Sequence, residues 1–117
     1  MTTSNIDRAQ AYVEYSNAHD VARILPLFAE NAVYTSSRVG DYNGPQAIGD
    51  MMAGFFAGFP DVHWAVDKYW PIAGNGVEFN FVMTATAAAT RNSINRPGIE
   101  RIFFTNDGLI SRIEVEA

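Results

Sequence analysis

Val77-Glu78-Phe79-Asn80-Phe81-Val82-Met83-Thr84-Ala85 decides how the rest of the chain is read. Val77, Phe79, Phe81, Met83 and Ala85 hold the odd positions, and Glu78, Asn80, Val82 and Thr84 lie between them. Successive side chains of a strand point to opposite faces, so this period of two predicts a strand with one apolar face. The period extends outward. Upstream, Gly74-Asn75-Gly76 is a tight turn after a strand candidate at Val62–Ile72. Downstream, a polar loop at Arg91–Gly98 leads to strands at Ile99–Thr105 and Leu109–Glu116, joined by Asn106-Asp107-Gly108, a hairpin signal.

The first half has a different rhythm. Ser4 and Asp7 open a helix that carries Ile6, Ala9, Tyr12, Val13 and Ser16 on one face. Asn17-Ala18-His19-Asp20 breaks it. Asp20 caps a shorter helix bearing Val21, Ile24, Leu25 and Phe28, which Pro26 should shorten by deleting a backbone donor. Ala32–Ser37 predicts a short strand and Gly40–Gly44 a loop. Pro45 then starts a helix with Ile48, Met51, Met52, Phe55, Phe56 and Phe59 in one stripe, closed by Gly58 and Pro60. Helices first and strands after predict an α+β class: three N-terminal helices, then a four-strand antiparallel meander, with an early short strand. The 117 residues fit one domain, 1–117, without linker or repeat.

Composition narrows the partners. The net charge is −5 and Lys68 is the one lysine, which argues against nucleic acid, because phosphate contacts need clustered basic residues. No apolar run reaches the roughly 18 residues of a membrane span. Met1-Thr2-Thr3-Ser4 leads straight into the first helix without a signal peptide. The chain has no cysteine, which excludes disulfides and thiolate sites and fits a reducing cytoplasm. Two histidines, His19 and His63, lack metal-ligand spacing, so neither metal nor cofactor is expected. Eight Phe, five Tyr and two Trp exceed what a minimal core needs; a lined cavity, a large core or a dimer interface would each use them.

The motifs Asn17-Ala18-His19-Asp20 and Leu27-Phe28-Ala29-Glu30-Asn31-Ala32-Val33-Tyr34 resemble the first two helices and strand of the ketosteroid isomerase-like superfamily, also called SnoaL-like or nuclear transport factor 2-like. Gly44-Pro45-Gln46-Ala47-Ile48, Phe59-Pro60-Asp61-Val62-His63 and Asn106-Asp107-Gly108-Leu109-Ile110 resemble later segments of it, so the likeness covers residues 4 to 116. The resemblance implies a cone-shaped barrel, its sheet curled around the helices, often as a homodimer. It implies little about activity, since the fold hosts isomerases, cyclases, hydrolases and non-catalytic binders.

In the isomerase branch a helix tyrosine and a protonated strand acid stabilise an enolate while an aspartate moves the proton. The resemblance carries the tyrosine onto Tyr12 and the acid onto Glu100, one methylene longer, but puts Ser36 where the base belongs. A hydroxyl does not replace a carboxylate there. The cyclase branch's late-strand histidine and C-terminal aspartate fall on Arg101 and Val115, and neither carries over. Tyr12 and Glu100 are therefore the candidate catalytic pair, meeting in an apolar pocket that should raise the Glu100 pKa. The alternative is that Glu100 turns outward and Arg101 and Phe103 turn in; period two alone does not choose a face.

If Glu100 faces inward, the walls of the pocket are Ser36, Met51, Phe55 and Trp64 together with Phe79, Phe81 and Met83 of the third long strand. Ile102, Ile113 and Val115 complete them. Ordinary core packing would use the same residues. His19 reads as a capping or surface residue, His63 as lying on the face opposite Trp64, and Asp41 as a solvated turn residue. Glu78, Glu114 and Glu116 with Arg112, and Val82, Thr84 and Thr86, form an outer face that is either solvated or a dimer interface. The expected function is binding of a small apolar molecule, with proton-transfer chemistry of isomerase or cyclase type on a carbonyl compound. A non-catalytic ligand-binding or dimerisation module is the alternative.

Overall fold

A capping box starts the first helix of the computed structural model, which describes residues 3–117. The Ser4 hydroxyl accepts the Asp7 N–H at 3.1 Å and the Asp7 carboxylate accepts the Ser4 N–H at 3.4 Å. Met1 and Thr2 of the expected lead-in lie outside the described residues. Helix α1 (Asn5–Asn17) buries Ala9, Tyr12, Val13 and Ser16. His19 follows with φ +56°, reversing the chain, and Asp20 caps helix α2 (Val21–Ile24). Helix α2 is shorter than its apolar spacing suggests. Pro26 tightens the chain into a 3-10 turn at Leu25–Leu27, and Phe28 opens a strand instead of lying on a helix face.

Strand β1 (Phe28–Ser36) pairs with strand β2 (Gly40–Asn43), which occupies most of the stretch expected as a loop. The Ser36 hydroxyl accepts the amides of Arg38 and Val39, closing the turn between them. Helix α3 (Pro45–Gly58) begins at Pro45 and sets Ile48 and Met52 into the core.

The expected strand Val62–Ile72 is two: β3 (His63–Ala65) and β4 (Tyr69–Ile72), both antiparallel to β5 (Gly76–Thr86). Ala65 pairs with Val82 and Tyr69 with Phe79, so β5 advances by one residue fewer and the edge must bulge between them. The polar segment Arg91–Gly98 is mostly strand: β6 runs from Ser93 to Phe104 beside β5. Pro97 is tolerated because β7 (Ile110–Glu116) flanks β6 only from Ile99 onward, leaving Pro97 locally on an edge.

The strand order is β2-β1-β7-β6-β5-β3, with β4 also on β5. All pairs are antiparallel except β1 with β7. The sheet stays open and curves around the helices, the curl that the family resemblance implies. A register shift in β7 lets both Ile110 and Ile113 face inward. Among the described residues no helix is long and apolar enough to cross a membrane.

Candidate functional site

The odd residues of β5 point at the helices: Phe79, Phe81 and Met83 are buried, while Asn80, Val82 and Thr84 are exposed. Register carries that face across the sheet. Phe79 pairs with Glu100, Glu100 with Val115, and Val115 with Ser36. Glu100 is thus held inward by the strand on each side of it and is 6% exposed. Arg101 faces the other way, bonding Glu78 at 2.7 Å and Glu116 at 2.9 Å. Arg112 pairs with Glu114 at 2.8 Å.

A cavity of about 100 Å³ lies between this face and helices α1 and α3. Its sheet side is Phe79, Phe81, Met83, Glu100, Val115 and Ser36; its helix side includes Tyr12, Met51 and Phe55; Trp64 closes it from β3. Of the expected walls, Ile102 and Ile113 do not reach it. Both are 0% exposed and pack solidly deeper in the cone, because the sheet's curvature brings that end of the strands against the helices.

The cavity also takes in residues that sequence reasoning passed over. Tyr34 lies two residues before Ser36 on the same strand face, a spacing that would have revealed it. Arg96 was hidden because its segment reads as loop; four residues before Glu100 on one strand, it shares Glu100's face. Arg38 and Val39 enter from the β1–β2 turn.

The electrostatics centre on Glu100. Burial pushes its carboxyl from 4.5 up to about 8. No hydrogen bond from the described residues holds it, and no buried polar atom among them is left unpartnered, so its oxygens open onto the cavity. Burial, and then the nearby Glu100 charge, raise both Tyr12 and Tyr34, the Ser16 hydroxyl partly opposing the shift at Tyr12. Tyr69, opposite Phe79, is pushed up to about 12, mainly by burial. All three phenols stay protonated; Tyr12 and Tyr34 line the cavity and can donate into it, while Tyr69 lies outside its wall. The arrangement is one acid, neutral below about pH 8, among hydroxyl donors in apolar walls.

Two backbone clamps fix the wall. Asn17 accepts the Trp64 N–H at 2.8 Å and donates to the Trp64 carbonyl at 3.0 Å, acting as a strand neighbour for edge β3. His19 stacks on Phe56 at 4.6 Å and its Nε2 lies 2.8 Å from the Val62 carbonyl, which gives it a structural place. His63 and Asp41 are exposed and away from the cavity. Among the described residues no three His, Asp or Glu side chains gather as metal ligands.

Residues 9–113 match the family model described as SnoaL-like domain. No curated protein matches the chain. Solved structures similar to it include an uncharacterised cystatin-fold protein from Novosphingobium aromaticivorans, 22% identical with TM-score 0.83, covering 97% of this chain and 98% of that one. Another is the epoxide hydrolase/cyclase-like enzyme SalBIII of pyran ring formation in salinomycin, 16% identical with TM-score 0.85, covering 96% and 88%. A third is a Mycobacterium tuberculosis protein in complex with estradiol-17beta-hemisuccinate, 16% identical with TM-score 0.83, covering 97% and 93%. At these identities the likeness is one of fold.

Proposed function

The chain belongs to the SnoaL-like domain family, and on that premise we propose that its cone binds a small apolar carbonyl compound and that Glu100 carries the proton in any reaction there. The observation that supports this is the buried Glu100 carboxyl, without a protein partner and open to the cavity beside Tyr12 and Tyr34. A neutral carboxyl open to an apolar cavity has a proton to donate to something that enters. For a ligand held without chemistry, its carbonyl oxygen is the natural acceptor of that proton, and the apolar walls suit the rest of it.

In an isomerisation, the ionised fraction of Glu100 takes a proton from carbon beside the carbonyl. Tyr12 and Tyr34 donate to the enolate oxygen, and the proton returns at the far end of the conjugated system. The double bond shifts and no atom is gained or lost. Ser36 does not serve as base. That feature favours the second reading, a site that holds its ligand without chemistry. Similar folds solved with a steroid derivative and in a ring-forming enzyme are compatible with either.

The cavity of about 100 Å³ bounds the ligand. Drug-sized ligands occupy about 300–1,000 Å³, and an engineered cavity of about 150 Å³ takes benzene. The interior is smaller than that, so it holds at most one ring, and anything larger must reach out of the mouth. The test compares wild type with Glu100→Gln on a panel of small cyclic enones, alongside a tryptophan-fluorescence titration. Isomerisation lost in the variant supports proton transfer by Glu100. Equal background rates in both, with binding retained, leave the non-catalytic reading. No fluorescence response to any ring compound ends both.

The same reading takes residues 1–117 as one domain in the cytoplasm, consistent with the lack of cysteine. It also pairs two copies through the outer sheet face, where Val82 is 40% exposed next to Pro97. Sedimentation of wild type against Val82→Glu tests that pairing.

A further inference from the structure

The chain is acidic, with net charge −5, yet the mouth of its cavity is basic. Arg96 reaches the mouth from the inner face of β6, half-buried and opposite Met83. Arg38 reaches it from the β1–β2 turn, exposed. Neither guanidinium forms an ion pair with a carboxylate among the described residues, whereas Arg23, Arg101 and Arg112 each do. Among the described residues Glu100 is the one acidic side chain in the cavity wall and lies at its buried end; Ala117 also belongs to the wall, and its carboxylate pairs with neither arginine. The site is therefore polarised: neutral donors at depth, an apolar middle, and two unpaired cations at the rim.

An unpaired arginine on the solvated outside of a protein needs no explanation. Arg96 differs because it occupies an inward-facing strand position next to Met83, Phe81 and Gly98, where an aliphatic residue would pack better. Guanidinium presents a fork of donors that fits a carboxylate bidentately. A ring seated in about 100 Å³ must place any substituent at this rim.

The geometry points to an anionic amphiphile as the ligand: a single apolar ring or short chain in the cavity, with a carboxylate two or three bonds away held at the mouth by Arg96 and Arg38. This rests on the proposed binding site and specifies its ligand class. Glu100 then meets the buried end of the ligand and the arginines its charged end, so a bifunctional keto acid uses both.

The test uses a matched pair, 3-phenylpropionate and 3-phenylpropionamide, titrated calorimetrically at low and at moderate salt. They share ring and chain and differ in charge. In wild type the acid should bind about five- to tenfold more tightly than the amide, with the gap narrowing as salt rises. Arg96→Gln should remove most of that preference and Arg38→Gln a smaller part, the acid losing more affinity than the amide in each. Circular dichroism and melting curves matching wild type show that the variants remain folded. Equal binding of acid and amide by wild type, or a preference that survives Arg96→Gln with Arg38→Gln, overturns the rim assignment and leaves the apolar site standing. Failure of both compounds to bind overturns the apolar site and the rim with it.

Discussion

Glu100 and Arg101 are consecutive in the chain and occupy opposite electrostatic surroundings: the carboxyl is buried in the cone without a partner, and the guanidinium is bonded to Glu78 and Glu116 on the outer face. The outer pairing reinforces the inner placement. A one-residue slip of β6 would bring Arg101 into the cavity and cost both of its bonds.

That placement makes stability depend on pH. Folding raises the Glu100 pKa to about 8 from 4.5, so the folded chain keeps a proton that the unfolded chain releases between those values. Stability from this group is complete below about pH 4.5, falls as pH rises, and levels off above about pH 8. Melting curves across that window should show the decline in wild type and not in Glu100→Gln. The difference at pH 8 should be on the order of a few kcal/mol in favour of the variant.

Gly98 lies on the inner face of β6, covered by the ring of Phe81. A Cβ there would lie 2.3 Å from Phe81 Cζ and 2.9 Å from the Glu116 carbonyl oxygen. Gly98→Ala should cost about 1–3 kcal/mol in chemical denaturation, because the ring can move only into the cavity and the backbone cannot move away. Ring compounds should bind the variant more weakly.

Ile113 and Met51 separate core from cavity. Ile113 is 0% exposed and away from the opening, so Ile113→Val should lower stability by about 0.5–1.5 kcal/mol and leave ligand affinity unchanged. Met51 lines the cavity and is half-buried. Met51→Ala should enlarge the space and shift affinity toward larger rings, read by titrating benzene against naphthalene.

Asn17 supplies both bonds that hold Trp64 at the sheet edge. Asn17→Ala leaves that N–H and carbonyl unpaired and should cost about 1–3 kcal/mol. Loss of the clamp frees the indole, so Trp64 fluorescence should move to the red and any ligand response should weaken. Asn17→Asp keeps the acceptor for the Trp64 N–H and should fall between alanine and wild type.

The α+β class, the three helices and the inward set of β5 were legible in the sequence because each rests on a local period or cap: the alternation from Val77 to Ala85, the stripe from Ile48 to Phe59, the Ser4–Asp7 box. Family likeness, not periodicity, put Glu100 inside. The misread segments share a cause. Ser93–Gly98 looks polar and contains Pro97, yet becomes strand because β5 offers eleven residues of edge to pair with. Val62–Ile72 looks continuous and breaks because both halves must share β5.

The sequence by itself determined which side chains alternate and where helices begin, since those depend on neighbours within a turn or a pleat. Tertiary structure alone decided which face of β6 meets the helices, where the cone closes solidly around Ile102 and Ile113, and that Arg38 and Arg96, 58 residues apart by their numbers, stand at one mouth. Those outcomes depend on register and curvature across the whole sheet, which are set by pairings far apart in the chain and are encoded at no single position.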